Sequence, residues 1–252
     1  MRLRILGSGT SLGVPVIGCD CDVCRSADPR NNRTRTSVLI QDQGRTLLID
    51  TSTDFRRQAL DADIRRIDAV LYTHDHADHI SGLDDLRPFN FRQAEEIPVY
   101  GNQATMDNIR RRFSYIFENT QRGGGKPQII MNNVDGPFVA ADFHVTPVPL
   151  LHGQLSILGY RIGNFAYCTD VSEIPESSYS LLDGLDVLVI DALRYKPHPT
   201  HFSLEEALEA IDRIRPKQAF LTHMTHSFEY TILEGQLPDH IHPAYDGLVI
   251  DL

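Results

Sequence analysis

Six consecutive positions, His74 to His79 in "THDHADHIS", hold three histidines and two aspartates directly after the apolar run "AVLY". A water-facing loop has no reason to choose imidazole over the ammonium, carboxylate or hydroxyl groups that solvate as well, whereas a metal does. Side chains two apart at a strand end point to the same side, so His74 and His76 can share one ion. Asp78 and His79, at the turn into a helix that can begin in "ISGLDDL", can reach a second. Imidazole nitrogen with carboxylate oxygen suits zinc, manganese or iron. Such a chain must therefore fold so that a strand ends at a metal-bearing edge.

Two adjacent metals need more ligands, and three further candidates stand where an apolar run gives way to a loop. His152 follows "VPLL", Asp170 follows "FAYCT", and His223 follows "AFLT". Each alone is a weak signal; together they place ligands at the ends of several strands of one sheet edge. Strand patterns cover 2–7, 36–42, 45–50 and 67–73, so the chain reads as strand-rich at first and mixed later. Helical patterns cover 54–63 and 103–117. The clearest helix is "SLEEALEAIDRI" (203–214), with Ser203 as N-cap, Glu206 completing a capping box and Pro216 ending it. No linker divides the 252 residues, so they read as one domain.

A second group of metal-type ligands lies in "GCDCDVC", where Cys19, Cys21 and Cys24 are too closely spaced and odd in number for a disulfide framework. Zinc takes four tetrahedral ligands, and the candidate for the fourth is His226, three residues after His223 in "THMTH". The alternative is that the three thiols are reduced and idle and His226 is an ordinary surface histidine. Cys168 reads as a small buried hydrophobe. Asp50 and Asp54, in "IDTSTDFR", read as loop hydrogen bonding and helix N-capping.

A net charge of −10 argues against broad, charge-driven nucleic-acid binding while leaving room for a small anionic substrate. The one basic run, Arg110 to Arg112, reads as a solvated or salt-bridged helix face. No apolar run approaches the ~20 residues a membrane span needs, and the start of the chain carries no signal-peptide core, so a cytoplasmic protein without membrane contact is expected. The glycine-rich stretch 119–128, "NTQRGGGKPQ", reads as a surface connection, or more sharply as a lid over a site.

The pattern HxHxDH, followed by the isolated His152, Asp170 and His223, resembles the metallo-β-lactamase superfamily over nearly the whole chain. The resemblance implies an α+β fold, an αββα sandwich of residues 1–252, with two divalent ions at the sheet edges. Carried over position by position, it puts His74, His76 and His152 on the first ion, Asp78, His79 and His223 on the second, and Asp170 between them. True β-lactamases of the superfamily differ at the position of Asp78, which implies a hydrolase of another kind. With "GCDCDVCR" near the start and "THMTH" near the end, the chain is similar to the PhnP-type phosphoribosyl 1,2-cyclic phosphate phosphodiesterases. That likeness implies a structural zinc on Cys19, Cys21, Cys24 and His226.

The same likeness gives His201, in "HPTHFS", a place near the substrate phosphate as a binding and catalytic residue beside Asp78. Without it, His201 is equally a capping or surface histidine. His144, His198, His240 and His242 receive no role. The expected activity is opening of a small cyclic phosphodiester by hydroxide formed between two metals. The alternatives are an endonuclease of the RNase Z type, which shares the ligand set, and a metal oxidase or oxygenase like the pyrroloquinoline quinone biosynthesis B proteins. The resemblance also implies a homodimer.

Overall fold

The computed structural model describes residues 1–118 and 125–252; residues 119–124, and with them most of the stretch read as a lid, lie outside the described residues. Fourteen strands form two seven-stranded sheets among the described residues. The first contains β1 (Arg2–Gly7), β2 (Ser37–Asp42), β3 (Arg45–Ile49), β4 (Ala69–Leu71), β5 (Ile97–Gly101), β6 (Ile129–Asn133) and, at its far edge, β14 (Val249–Asp251). The second runs from β7 (Phe138–Ala140) through β8 (Phe143–His152), β9 (Leu155–Ile162), β10 (Phe165–Cys168), β11 (Val187–Asp191) and β12 (Gln218–Thr222) to β13 (Ile241–Pro243). Antiparallel hairpins open each half, and parallel pairs follow: β3 with β4, β4 with β5, β10 with β11, β11 with β12.

The strand sequences are apolar at nearly every position because both faces of each sheet are covered. In β3, Leu47 and Ile49 join the core between the sheets, while Leu48 joins the core under the helices of the first half. In β11, Val187 and Val189 join the inter-sheet core, and Leu188 and Ile190 the outer core of the second half. Each such side chain, wholly withdrawn from water, contributes roughly 2 kcal/mol. A slip of one residue in register would exchange the two cores, which is why register is firmly set. The layers are therefore helix, sheet, sheet, helix.

Helices fill the outer layers: α1 (Phe55–Asp61), α2 (Ala77–Ile80), α3 (Arg87–Gln93), α4 (Gln103–Arg112) and α5 (Ser114–Phe117) on the first half, α6 (Glu176–Tyr179), α7 (Leu204–Ile214) and α8 (Tyr230–Glu234) on the second. In α7 the expected capping box is present, and Ala207, Ala210, Ile211 and Ile214 form its buried stripe. The helix expected over 103–117 is broken at Phe113, whose backbone (φ −111°, ψ 40°) leaves the helical region. That break lets Phe113, Ile116 and Phe117 all reach the apolar cluster under the first sheet. The helix expected over 54–63 is present as α1.

Asp54 occupies the N-cap position of α1 but makes no capping hydrogen bond. Its carboxylate is taken instead by the Arg35 backbone N–H at 2.9 Å and by the Arg35 guanidinium. The strand expected over 45–50 ends at Ile49 because Asp50 turns into the left-handed region, with φ 62°. Asp170 (φ 59°) and His223 (φ 58°) do the same just beyond β10 and β12. Left-handed non-glycine residues cost energy and gather where a side chain must be aimed. All three bring their side chains into one group.

Candidate metal centre

Each strand that stops at this edge delivers a donor: His74 and His76 beyond β4, His152 as the last residue of β8, Asp170 beyond β10, His223 beyond β12, with Asp78 and His79 on the short α2. The structure brings all seven sequence-predicted residues together in two groups. His74, His76, His152 and Asp170 form one; Asp78, His79, Asp170 and His223 form the other; within each the donor atoms lie within 4.8 Å of one another. Asp170 belongs to both. Its Oδ2 lies 3.7 Å from His74 Nε2, 3.3 Å from His79 Nε2 and 3.4 Å from His223 Nε2.

The hydrogen bonds behind the ring settle which nitrogen faces inward. His152 Nδ1 donates to the Thr200 carbonyl at 2.6 Å, and His79 Nδ1 to Asp50 Oδ2 at 2.8 Å. Thr73 gives its hydroxyl proton to Asp50 at 2.8 Å, so its oxygen must accept from His74 Nδ1 at 3.0 Å. In each case the proton sits on Nδ1 and the Nε2 lone pair turns into the cluster, as a metal-ligating imidazole requires. The Nε2 atoms of His74, His79 and His223 are buried with no hydrogen-bond partner. Orphaned polar atoms of this kind are costly unless something else satisfies them.

The electrostatics agree. Burial opposes a charge on His79, yet the carboxylates of Asp170, Asp78 and Asp50 outweigh it and hold its pKa well above the ordinary histidine range. Asp170 is held well below the ordinary carboxylate range, because the imidazoles of His223, His79 and His74 overcome its burial. The pocket is thus built to stabilise positive charge at its centre. The donor set and the orphaned nitrogens fit divalent ions.

Two carboxylates in this ring of contacts were not assigned there from sequence. Asp50 does make the loop hydrogen bonds expected of it, and one of them orients His79. Asp191, the last residue of β11, is wholly buried; its Oδ2 accepts from His201 Nδ1 at 2.9 Å and its Oδ1 lies 3.9 Å from His223 Nδ1. This carboxyl therefore backs His201 and stands close to His223 without a hydrogen bond to it. Its position at the end of "LDVLVID", like Asp170 at the end of its own run, is the signal that could have found it. Replacing Asp191 with Asn removes the carboxylate charge and lets the amide turn either its oxygen or its N–H to His201 Nδ1, which frees the His201 tautomer. The expected result is a 10–100-fold fall in kcat with metal content near that of the wild type, measured by steady-state kinetics and elemental analysis. An unchanged kcat would sink the assignment.

His201 lies at the edge of the histidine group, its ring centroid 4.5 Å from His152 and 4.7 Å from His223. Burial pushes its pKa down. The basic run is indeed salt-bridged: Arg112 reaches Asp75, the non-donor residue of the histidine motif, at 3.3 Å.

The cysteine group assembles as well. His226 Nδ1 lies 3.3 Å from Cys19 Sγ, 3.5 Å from Cys21 Sγ and 3.3 Å from Cys24 Sγ. A tetrahedral zinc with ordinary Zn–S and Zn–N bonds sets sulfur and nitrogen roughly 3.5 Å apart, close to what is observed. The Cys24 backbone N–H is the main influence that draws the Cys21 thiol down to about 7, toward the thiolate a metal needs. Cys168 is wholly buried and pushed up to about 12, an inert thiol as expected. Among the described residues no helix is long and apolar enough to cross a membrane.

Comparison with known proteins gives a consistent result. A protein of Porphyromonas gingivalis (strain ATCC BAA-308 / W83) called octanoyltransferase is 46% identical over 253 residues, covering 98% of this chain but 51% of that protein. The chain thus spans about half the length of this curated relative. A crystal structure described as a new diphosphatase from the PhnP family superposes with a TM-score of 0.93 at 43% identity, covering 100% of this chain and 97% of the other. Zn(2+)-bound PqqB from Methylobacterium extorquens shares the fold, with a TM-score of 0.80, 20% identity and full coverage of both chains. The family model described as "Beta-lactamase superfamily domain" matches residues 45–224. With that match spanning more than half of the chain, and with its donors gathered at the sheet edges, the chain belongs to the metallo-β-lactamase superfamily.

Proposed function

We propose that the chain hydrolyses a small phosphodiester, such as a phosphoribosyl 1,2-cyclic phosphate, to a phosphomonoester. The observation that carries this reading is the pairing of two donor groups through Asp170 with a buried His201–Asp191 dyad beside them. The 43% identity to a protein described as a PhnP-family diphosphatase supports hydrolysis of a phosphate compound, without naming the phosphodiester. His74, His76 and His152 would hold one ion, Asp78, His79 and His223 the other, and Asp170 both; zinc, manganese and iron all suit these donors. Cys19, Cys21, Cys24 and His226 would hold a structural zinc.

Two divalent ions held by these residues would supply hydroxide near neutral pH and offset charge on the phosphoryl oxygens. The chain's own part is orientation and proton handling. Asp191 keeps a proton on His201 Nδ1, so His201 presents Nε2 to the substrate. Protonated at Nε2, His201 binds a phosphoryl oxygen and then passes its proton to the departing alkoxide. Asp191, whose carboxyl is pushed by burial well above the ordinary carboxylate range, holds the Nδ1 side of the ring in place in that interval. A chain of net charge −10 with this compact anion-binding centre favours a small substrate over a nucleic acid. The octanoyltransferase name belongs to a polypeptide about twice as long, of which this chain matches 51%.

The test is turnover of bis(p-nitrophenyl) phosphate and of a ribosyl 1,2-cyclic phosphate on purified protein whose metals have been counted. Saturable hydrolysis, with about three metal ions per chain, is the expected result. Failure to cleave either ester at full metal loading would overturn the reading.

A further inference from the structure

The segment between β11 and α7, "ALRYKPHPTHFS" (192–203), forms a strap beside the metal centre. It is tied down at both ends: Leu193 N–H donates to the Phe202 carbonyl at 2.9 Å, Leu204 N–H to the Arg194 carbonyl at 2.9 Å, and Phe202 N–H to the Val171 carbonyl at 2.6 Å. Its middle is clamped by Arg194, whose Nε donates to the Lys196 carbonyl at 3.1 Å and Nη2 to the Pro197 carbonyl at 2.9 Å. Pro197 and Pro199 stiffen the backbone on either side of His198. The strap also abuts the ligand strand: the Thr200 carbonyl accepts from His152 Nδ1, and a Cβ on Gly153 would meet Thr200 Cγ2 at 2.9 Å.

His198 sits at the centre of this strap, half-buried, its ring centroid 5.3 Å from that of His201. The Thr200 backbone N–H points at His198 Nδ1 from 3.4 Å and the Thr200 hydroxyl lies 3.2 Å from it. A backbone N–H can only donate, so Nδ1 accepts and the ring proton resides on Nε2. Nε2 has no hydrogen-bond partner among the described residues. His201, by contrast, uses its Nδ1 proton on Asp191. A neutral His198 in this tautomer has an Nε2 proton to donate.

We propose that His198 is a substrate-binding residue whose Nε2–H donates to a second anionic group of the substrate, one that is not cleaved, with Arg194 as the positioning residue that holds the strap. Arg194 and Lys196 add positive charge on the same segment of an acidic chain. This assignment rests on the phosphodiesterase reading and adds to it the residue that selects among phosphodiesters. It says that specificity is written in the strap, while the bond-breaking chemistry is written at the sheet edges.

The experiment compares metal-loaded wild type with His198→Ala and His198→Gln. Two ribosyl 1,2-cyclic phosphates are used, with and without a 5-phosphate, together with calorimetric binding of ribose 1-phosphate and ribose 1,5-bisphosphate. Losing a hydrogen bond to a charged group should lower the kcat/KM ratio, phosphorylated over unphosphorylated, by about tenfold in His198→Ala, mainly through KM. The preference of the wild type for the bisphosphate should fall likewise. His198→Gln, which keeps an N–H donor near the Nε2 position, should recover most of both. Equal losses on the two esters, or a bisphosphate preference that survives in His198→Ala or is absent from the wild type, would overturn the proposal. A wild type that binds the bisphosphate preferentially yet cleaves no phosphodiester would place the fault in the hydrolytic reading alone.

Discussion

Asp170→Ala is expected to abolish hydrolysis, lowering kcat by about 10³-fold or more, with both ions of the His/Asp centre lost or loosened together. The reason is geometric. Asp170 Oδ2 is the atom that lies near His74 of one donor group and near His79 and His223 of the other, so its removal unties both at once. The loss should exceed that of replacing a donor that serves one group, such as His152, whose removal leaves the second group complete. Kinetics on bis(p-nitrophenyl) phosphate with parallel metal counts would decide it. Wild-type turnover in the Asp170 variant, or loss of a single ion, would refute the shared role.

Cys21→Ser should act on stability before chemistry. The cysteine group ties the loop bearing Cys19, Cys21 and Cys24 to the turn bearing His226, positions separated by some two hundred residues of chain. A structural zinc contributes its binding energy to folding, and a weakened site forfeits much of it. The expected loss is about 3 kcal/mol or more, a fall in Tm on the order of 6 °C or more, read by calorimetry with and without a zinc chelator. Chelation should lower the wild-type Tm and leave the variant nearly unmoved. Activity should decline less than stability, although His226 is three residues from His223 and a loosened turn will blur both. A fully stable Cys21 variant that has lost its activity would count against this division of labour.

These two residues also show what kind of information the sequence carries. The histidine motif was legible because its donors lie within one turn of chain, where backbone geometry alone decides which side chains can meet. The three-cysteine group and the capping box of α7 were legible for the same reason. Asp170, His152 and His223 could be read as strand-end donors and matched by family resemblance, but their mutual contacts could not. They come from β8, β10 and β12, which meet β4 only because two sheets pack face to face. The Asp54 carboxylate shows the limit from the other side: the local rule put it on its own helix, while a guanidinium from another segment took it.

The sequence by itself determined the donor chemistry and the local turns that hold ligands two and three residues apart, which follow from side-chain identity and from the periods of strand and helix. The four-layer sandwich was legible only through family resemblance. Tertiary structure alone decided that Asp170 is shared, that Asp191 is paired with His201, and that His198 stands beside His201 on the strap. Each of these depends on a hydrogen bond or close approach that forms only once strands and loops distant in the chain have been packed, and no local rule fixes the partner of a polar atom across such a distance.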